Sequence, residues 1–238
     1  VQTRGAALHL SACLLSGMSF RWRRHARHAD ICVGVLDDVV LALSQQTPIG
    51  DVRMRVLNDA SPERQARALD LVRKHLSLDR GCDAKTQWQQ CCSPRVPERF
   101  HAAAAALPGV RVLSIANRLE ALVTFIGSAN NNIKRNMQMV EALCAAFPEN
   151  RLCGCPFGGE LVGRTLGGEP AHFRFPSLDQ LLTLSEADLW TLGWGYRAPR
   201  LYRAVRELEQ LGGVAFLESL AELSDDDACA QLCMLHGI

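Results

Sequence analysis

Lysine and aromatic residues are scarce in this sequence. Its only lysines are Lys74, Lys85 and Lys134 among 26 cationic residues, so arginine carries nearly all of the positive charge. Arginine makes bidentate contacts with phosphates and base edges that lysine cannot make. A bias towards arginine codons explains the count equally well, so the placement of the arginines is more informative than their number.

The sequence also lacks long apolar runs. No stretch approaches the about 18 consecutive apolar residues of a membrane-spanning helix. The 238 residues are 48% hydrophobic and 21% charged, which excludes wholesale disorder and predicts a sizeable core in one or two domains. The chain begins VQTRGAALHLSACLLSG, with no initiator methionine. This start fits a fragment or a processed terminus better than a signal peptide.

None of the ten cysteines forms a CxxC pair, the spacing that is typical of zinc sites. The closest pairs are Cys91 and Cys92, Cys153 and Cys155, and Cys229 and Cys233. Only Cys153 and Cys155, taken with the distant His172, come near a ligand set, so we expect no metal. Scattered, reduced and mostly buried thiols are the expectation, with Cys229 and Cys233 in a helical core.

The hydrophobic periodicity changes near residue 60. Before it, short segments rich in β-forming residues are separated by turn signals such as Asp37-Asp38, a pattern typical of an antiparallel sheet. The predicted strands are ALHLSACLL (7–15), MSFRWRR (18–24), ICVGVL (31–36), VVLALS (39–44) and DVRMRVL (51–57). A helix with a Ser61 cap follows over 61–76, because apolar residues then recur at helical spacing.

Helices dominate the rest of the sequence. Two helical stretches, about 83–91 and 97–107, are followed by further helical patterns from residue 117 onward, interrupted by a glycine-rich loop at 153–170. The expected fold class is therefore α+β. We expect an N-terminal domain of sheet and helices over 1–113 and a helical domain over 114–238.

The predicted helix starts differ in their charge. SEAD (185–188) and SDDD (224–227) place acids after a serine cap, which suits the positive end of the helix dipole. NNNIKR (130–135) and GWGYRAPR (193–200) place cations there instead. One such start is readily explained as a solvated surface. Two on one domain predict a receptor for an extended anion such as a nucleic-acid backbone, with Tyr196 as a wedge between bases.

Five segments of the sequence carry a family resemblance. They are SGMSFRWR (16–23), FIGSANNNIKR (125–135), FPSL (175–178), LGWGYRAPR (192–200) and CMLHGI (233–238). In this order they resemble the eukaryotic 8-oxoguanine DNA glycosylases over nearly the whole chain. The resemblance implies a TATA-binding-protein-like antiparallel sheet domain followed by an all-helical helix-hairpin-helix glycosylase domain, truncated at the hairpin. Enzymes of this family flip 8-oxoguanine, paired with cytosine, out of duplex DNA and cut its glycosidic bond.

The same resemblance implies roles for individual residues. Asn130 would fill the space that the flipped base leaves, Arg135 and Arg197 would hydrogen-bond the orphaned cytosine, and Tyr196 would wedge at the lesion. Gly17 would offer its main-chain carbonyl to the N7–H that 8-oxoguanine has and guanine lacks. The expected DNA-binding residues are Asn130, Asn131, Asn132, Arg135, Tyr196 and Arg197.

The chain departs from the family pattern in several places. Met18 replaces a glutamine, and His236 replaces the proline of the family's LPGVG. Pro199 lies inside GYRAPR, where the first helical turn tolerates it. The loop at 153–170 is longer than usual. In the family a lysine soon after LPGVG attacks the sugar C1′, and an aspartate further on supports it, whereas this chain ends at LHGI.

Three hypotheses follow. The first is a partial sequence of a bifunctional glycosylase and lyase, with the nucleophilic lysine expected beyond Ile238. The second is a non-catalytic product that binds damaged DNA or regulates the enzyme. The third is a metal-binding or structural protein. For the first we expect a monomer that binds double-stranded DNA, needs no cofactor, contacts no membrane and works in the nucleus or also the mitochondrion.

Overall fold

The structure is a computed structural model that describes residues 1–3, 7–25, 28–47, 50–79, 97–107, 109–152 and 171–238. Contacts divide the chain into two compact units, the first formed by 1–116 with 152–172 and the second by 117–151 with 173–238. The predicted domain division between residues 113 and 114 stays a prediction. The helix at 83–91 and the loop at 153–170 lie outside the described residues.

The first unit is built on a four-stranded antiparallel sheet with strand order β1-β2-β3-β4. Its strands are β1 (Trp22–Arg24), β2 (Ile31–Leu36), β3 (Val39–Gln45) and β4 (Val52–Val56), and its helices are α1 (Leu10–Leu14), α2 (Pro62–His75) and α3 (Glu98–Ala106). The antiparallel sheet predicted from the sequence is confirmed. The turn between β2 and β3 contains Asp37 with φ of 57°, a left-handed conformation that aspartate tolerates better than most residues.

The larger apolar cluster of the first unit lies on one face of this sheet, where apolar side chains of α1 and α2 pack against the strands. A smaller buried cluster on the other face contains Val33, Val35, Val40, Ala42 and Leu57. Trp22 is fully buried and lies over Gly34 on the neighbouring strand, where a Cβ would come within 2.5 Å of the indole ring. The Trp22 Nε1 donates a hydrogen bond of 3.0 Å to His75 Nε2. His75 Nδ1 in turn contacts the Ser114 carbonyl at 2.8 Å, so a buried polar network connects the sheet with α2.

The strand predicted over 7–15 is wrong. Residues Leu10–Leu14 form a short helix, and the His9 side chain caps it by accepting a hydrogen bond from the Ala12 N–H. The buried residues Leu10, Cys13 and Leu14 are three and four positions apart, which is a helical spacing. Such a short apolar run does not distinguish a helix from a strand, because the hydrophobic periods of a helix and of a strand both fit it.

The second unit is helical among its described residues. Its helices are α4 (Arg118–Ser128), α5 (Ile133–Ala145), α6 (Leu178–Thr183), α7 (Glu186–Thr191), α8 (Ala198–Gln210), α9 (Val214–Ser219) and α10 (Asp225–Leu232), with 3-10 turns at Pro148–Asn150, Gly195–Arg197 and Leu220–Glu222. Two short strands, β5 (Arg151–Leu152) and β6 (His172–Phe173), form a separate two-stranded sheet. Among the described residues, no helix is long and apolar enough to cross a bilayer.

Local caps explain where these helices begin. Asn117, Asn132, Ser177, Ser185 and Ser224 each accept a hydrogen bond from a backbone N–H of the first helical turn, which removes an unsatisfied donor at the helix start. The caps predicted at Ser185 and Ser224, with acids behind them, are confirmed. So is the prediction that the three asparagines start a helix, since Asn132 is its N-cap.

The expectation that Cys229 and Cys233 lie in the core is wrong, because both are exposed. No residue of α10 is buried, and the buried residue of this segment is Leu235, beyond the helix end. By contrast, Cys13, Cys32 and Cys144 are buried as expected. Cys82, Cys91, Cys92, Cys153 and Cys155 lie outside the described residues.

Candidate nucleic-acid interface

The turn between α4 and α5, which we call the Asn130 turn (129–132), presents the first of the three consecutive asparagines to solvent. Asn130 is exposed and has φ of 47°, in the left-handed region where asparagine is one of the few side chains tolerated. The chain therefore reverses direction at this residue.

The other two asparagines build the turn. Asn131 donates from Nδ2 to the Gly127 carbonyl at 2.9 Å, and its Oδ1 accepts from the Asn132 N–H at 2.9 Å. Asn132 Oδ1 accepts from the Arg135 N–H at 2.8 Å. Both amides are therefore engaged within the turn, whereas Asn130 is the residue whose exposed side chain projects from it.

The first turn of α5 carries positive charge at the positive end of the helix dipole. It contains no acid, and Lys134 and Arg135 are both exposed. By comparison, α7 and α10 begin with Glu186 and with Asp225, respectively, in the expected manner. The N-terminus of α5 therefore favours an anion supplied from outside.

The segment Gly195–Arg197, which we call the Tyr196 turn, is a single 3-10 turn that leads directly into α8. Gly195 has φ of 54°, and a Cβ at this position would lie 3.7 Å from Arg135 Nη2. The guanidinium of Arg135 is thus close to the Tyr196 turn. As predicted from the sequence, the glycine-rich segment delivers Tyr196 and Arg197 to a helix start.

Arg197 is buried, with 1% of its surface exposed. Its Nε donates to the Ala129 carbonyl at 3.0 Å, and its Nη2 donates to the Ala129 carbonyl and, at 2.7 Å, to the Asn130 carbonyl. These carbonyls follow the C-terminus of α4, the negative end of a helix dipole, which helps to compensate a buried cation. The Nη1 atom is buried and has no hydrogen-bond partner among the described residues.

Tyr196 is 46% exposed, which agrees with the expectation that its backbone does not bury it. Its hydroxyl donates to the Ala129 carbonyl at 2.9 Å, and the Arg197 guanidinium carbon lies 4.3 Å from the ring centroid. Arg200 approaches the same ring at 5.6 Å, within reach of a cation–π interaction. The ring is therefore oriented by its hydroxyl and by two cations.

The structure brings together four of the predicted DNA-binding residues, Asn130, Arg135, Tyr196 and Arg197, through the contacts between the two turns. Sequence reasoning missed the Ala129 carbonyl, which accepts from both Tyr196 and Arg197. A main-chain acceptor leaves no signal in residue identity. It also missed the neighbouring Trp190, an indole that is exposed although a tryptophan on an amphipathic helix is ordinarily a core residue.

Gly17 belongs to the first unit and follows α1. Its φ of 91° lies in the left-handed region, so glycine suits this position for conformational reasons alone. Met18, which stands where the family pattern has glutamine, packs partly buried against the apolar core of the first unit. The predicted use of the Gly17 carbonyl stays a prediction.

The described residues offer neither a metal centre nor a desolvated amine. No group of three or more His, Cys, Asp or Glu side chains in the described part of the chain could hold a metal ion. Lys74 is largely exposed and forms an ion pair of 2.8 Å with Asp70. Lys134 is exposed at the start of α5, and Lys85 lies outside the described residues.

Comparisons with known proteins agree with this fold. The profile of the family described as "8-oxoguanine DNA glycosylase, N-terminal domain" matches residues 1–122. The Arabidopsis thaliana protein "N-glycosylase/DNA lyase OGG1" is 31% identical over 226 residues, which are 94% of this chain and 55% of that protein. The Saccharomyces cerevisiae "N-glycosylase/DNA lyase" is 36% identical over 101 residues, 42% of this chain and 23% of that protein. The chain thus spans little more than half of the Arabidopsis relative's length.

Solved structures share the whole fold. The 8-oxoguanine glycosylase/lyase of Clostridium acetobutylicum in its apo form superposes with a TM-score of 0.72 at 20% identity, covering 100% of this chain and 71% of that one. The same enzyme in complex with double-stranded DNA containing cytosine opposite 8-oxoguanine gives 0.73 at 19% identity, with 100% and 70% coverage. The α+β fold class expected from the sequence is confirmed. Because the family profile matches more than half of its 238 residues, the chain belongs to the 8-oxoguanine DNA glycosylase family.

Proposed function

We propose that this chain forms the lesion-reading part of a base-excision repair glycosylase that acts on 8-oxoguanine opposite cytosine in duplex DNA. The observation that supports this most strongly is the meeting of the Asn130 turn and the Tyr196 turn. There an exposed amide, a half-exposed aromatic ring and two guanidinium groups lie together next to a helix start without acids.

Each of these groups suits a step of base flipping. The Asn130 amide is small and carries both a donor and an acceptor, so it fits the space left by an extruded base. The Tyr196 ring is exposed enough to enter between base pairs. The exposed Arg135 supplies donors for the O2 and N3 acceptors of the unpaired cytosine, and the buried Nη1 of Arg197, which has no partner among the described residues, would join it once the duplex opens the turn.

Selection of the damaged base rests on Gly17 in this proposal. Its carbonyl would accept the N7–H of 8-oxoguanine, whereas guanine presents a bare N7 acceptor to the same oxygen. One such hydrogen bond, with the penalty for leaving the carbonyl unpaired, supports discrimination of about 1–3 kcal/mol. That amounts to about 5-fold to 150-fold in binding.

The excision and lyase steps need a deprotonated amine in a desolvated site. Lys74, ion-paired with Asp70, and the exposed Lys134 do not suit this role. The proposal therefore assigns recognition, and not bond cleavage, to the described residues. The second candidate is a product of the family that binds damaged DNA without cutting it.

Two measurements test the proposal and separate the candidates. Binding of the 238-residue chain to a fluorescent duplex with one 8-oxoguanine opposite cytosine should be at least tenfold tighter than binding to the undamaged duplex. Asn130→Ala should remove most of this difference, whereas Gln138→Ala, an exposed change on the same α5, should not. Equal affinity for both duplexes would contradict the proposal. Borohydride trapping of a covalent complex would identify a working lyase, and its absence would favour the binding product.

A further inference from the structure

The last main-chain carbonyls of α4 and those just beyond it accept hydrogen bonds from outside the helix. The Ser128 carbonyl accepts from the Asn131 N–H at 3.1 Å, and the Gly127 carbonyl accepts the Asn131 side chain. The Ala129 and Asn130 carbonyls instead accept side-chain donors from the Tyr196 turn. The end of α4 is therefore capped by residues 67 and 68 positions away in sequence.

Asn130 needs such support because its backbone is strained. Its φ of 47° lies in the left-handed region, which asparagine tolerates better than most residues with a Cβ but which still costs free energy relative to the right-handed regions. A strained turn persists only where the surrounding contacts determine it. The main-chain carbonyls before and after the Asn130 α-carbon both accept hydrogen bonds. The Ala129 carbonyl accepts from Tyr196 and Arg197, and the Asn130 carbonyl accepts from Arg197.

We propose that Tyr196 and Arg197 are positioning residues for Asn130. The residue that fills the space left by the flipped base and the two residues that contact the surrounding DNA then form one preorganised unit. This proposal rests on the proposed function and deepens it. Arg197 has two of its three guanidinium nitrogens committed to the turn, and the third, Nη1, is buried without a partner among the described residues. A duplex that displaces Arg197 would therefore also release Asn130.

Tyr196→Phe isolates the positioning contact. This variant removes the hydroxyl that donates to the Ala129 carbonyl but keeps the exposed ring and its neighbouring cations. The chain offers a matched control, because its only other tyrosine, Tyr202, packs its ring against Arg206 on α8, away from the Asn130 turn. Tyr202→Phe therefore makes the same chemical change without touching that turn.

Hydrogen–deuterium exchange of the free protein tests the contact without DNA. Tyr196→Phe should speed exchange across residues 128–136 by about threefold or more, because one hydrogen bond that restrains the turn is lost. Tyr202→Phe should leave this segment unchanged, and α2 should be unaffected in both variants. Unchanged exchange of 128–136 in Tyr196→Phe would overturn the proposal, whatever the DNA-binding result.

A double-mutant cycle tests the functional consequence. Asn130→Gly removes the side chain and leaves the turn relaxed, because glycine adopts a positive φ freely. Tyr196→Phe should weaken binding of the 8-oxoguanine·cytosine duplex by about threefold to tenfold in the parent chain. In the Asn130→Gly background the same change should have almost no effect, since there is no side chain to position.

The outcomes distinguish this proposal from the function on which it rests. An equal loss in both backgrounds would mean that the Tyr196 hydroxyl acts on DNA independently, which overturns the positioning role and keeps the lesion-binding function. No preference for the damaged duplex in any variant would overturn the proposed function. In that case the exchange result alone would decide whether the contact between the two turns exists in solution.

Discussion

The Arg197 guanidinium donates to the main-chain carbonyl of Asn130 at 2.7 Å, and these two residues are 67 positions apart in the sequence. A buried arginine is ordinarily compensated by a carboxylate. In the described part of this chain, the hydrogen-bond acceptors of Arg197 are main-chain carbonyls beyond the C-terminus of α4. The connection between the two turns is thus part of the fold as well as of the candidate interface.

Arg197→Lys should destabilise the chain by about 2–4 kcal/mol. An ammonium group lacks the planar fork that reaches both carbonyls, and a buried cation that loses partners is costly. Urea unfolding should show this as a lower midpoint with an unchanged slope. Arg203→Lys, on the exposed side of α8, should shift the free energy of unfolding by less than about 0.5 kcal/mol. Equal shifts for both variants would show that the buried contacts of Arg197 contribute little.

Lys134→Gln should raise the free energy of unfolding and at the same time weaken the affinity for DNA. It removes a cation from the positive end of α5, which should stabilise the helix by about 0.3 kcal/mol. If Lys134 contacts a phosphate, the slope of log affinity against log salt should fall by about 1. Gln138→Glu lowers the net charge by the same unit one turn further along α5. An equal loss of DNA affinity in both variants would indicate that the effect comes from overall charge and not from a contact at the helix start.

The free energy of unfolding should decrease as the pH is lowered below about 6.5, because His75 is buried in its neutral form. Burial lowers the pKa of His75 to about 4 from its ordinary 6.5, although the Ser114 carbonyl acts in the opposite direction. Between these values the unfolded chain binds a proton that the folded chain does not, so this stability is complete above pH 6.5 and lost as pH falls to about 4. The loss should amount to about 3 kcal/mol.

His75→Gln tests this assignment. A glutamine can accept from Trp22 Nε1 and donate to the Ser114 carbonyl without titrating. Unfolding free energies measured from pH 4 to 8 should therefore be flatter in this variant. A residual slope is expected from His172, because burial, with a smaller contribution from nearby Arg21 and Arg23, lowers its pKa to about 4 as well. An unchanged pH profile in His75→Gln would be inconsistent with a neutral His75.

Gly127→Ala should destabilise the second unit by about 1–3 kcal/mol, even though alanine favours a helix by about 1 kcal/mol over glycine. A Cβ at Gly127 would lie 2.6 Å from Asn136 Oδ1 and 3.3 Å from the Trp194 ring, both of which are buried. Thermal unfolding compared with Ser128→Ala, a neighbouring change at the end of α4, measures the effect. A more stable Gly127→Ala would show that this packing relaxes readily.

Those parts of the fold that follow local rules could be predicted from the sequence. The β2–β3 hairpin follows from two β-branched runs around Asp37-Asp38, and the start of α5 follows from the capping preference of Asn132. The helix at Leu10–Leu14 was missed because its length is too short for either period to dominate.

The candidate site was predictable only in part. The resemblance identified Asn130 and Arg197, but their mutual contact depends on a long-range approach of α8 to the end of α4, which no local pattern encodes. The resemblance likewise predicts that Arg197 hydrogen-bonds the orphaned cytosine, whereas the structure buries its side chain against two main-chain carbonyls. Long-range packing therefore determines both the contact between Asn130 and Arg197 and the burial of the Arg197 side chain.

The most direct test of the account is the affinity of the chain for four duplexes that differ only in the base opposite a single 8-oxoguanine. We predict the tightest binding with cytosine, by about tenfold or more over the other three bases. Arg135→Ala and Arg197→Ala should each reduce this preference, and Arg203→Ala should weaken all four complexes alike. Equal affinity for all four duplexes, or equal losses with every opposing base in all three variants, would contradict the assignment of this surface as the reader of the lesion and its partner base.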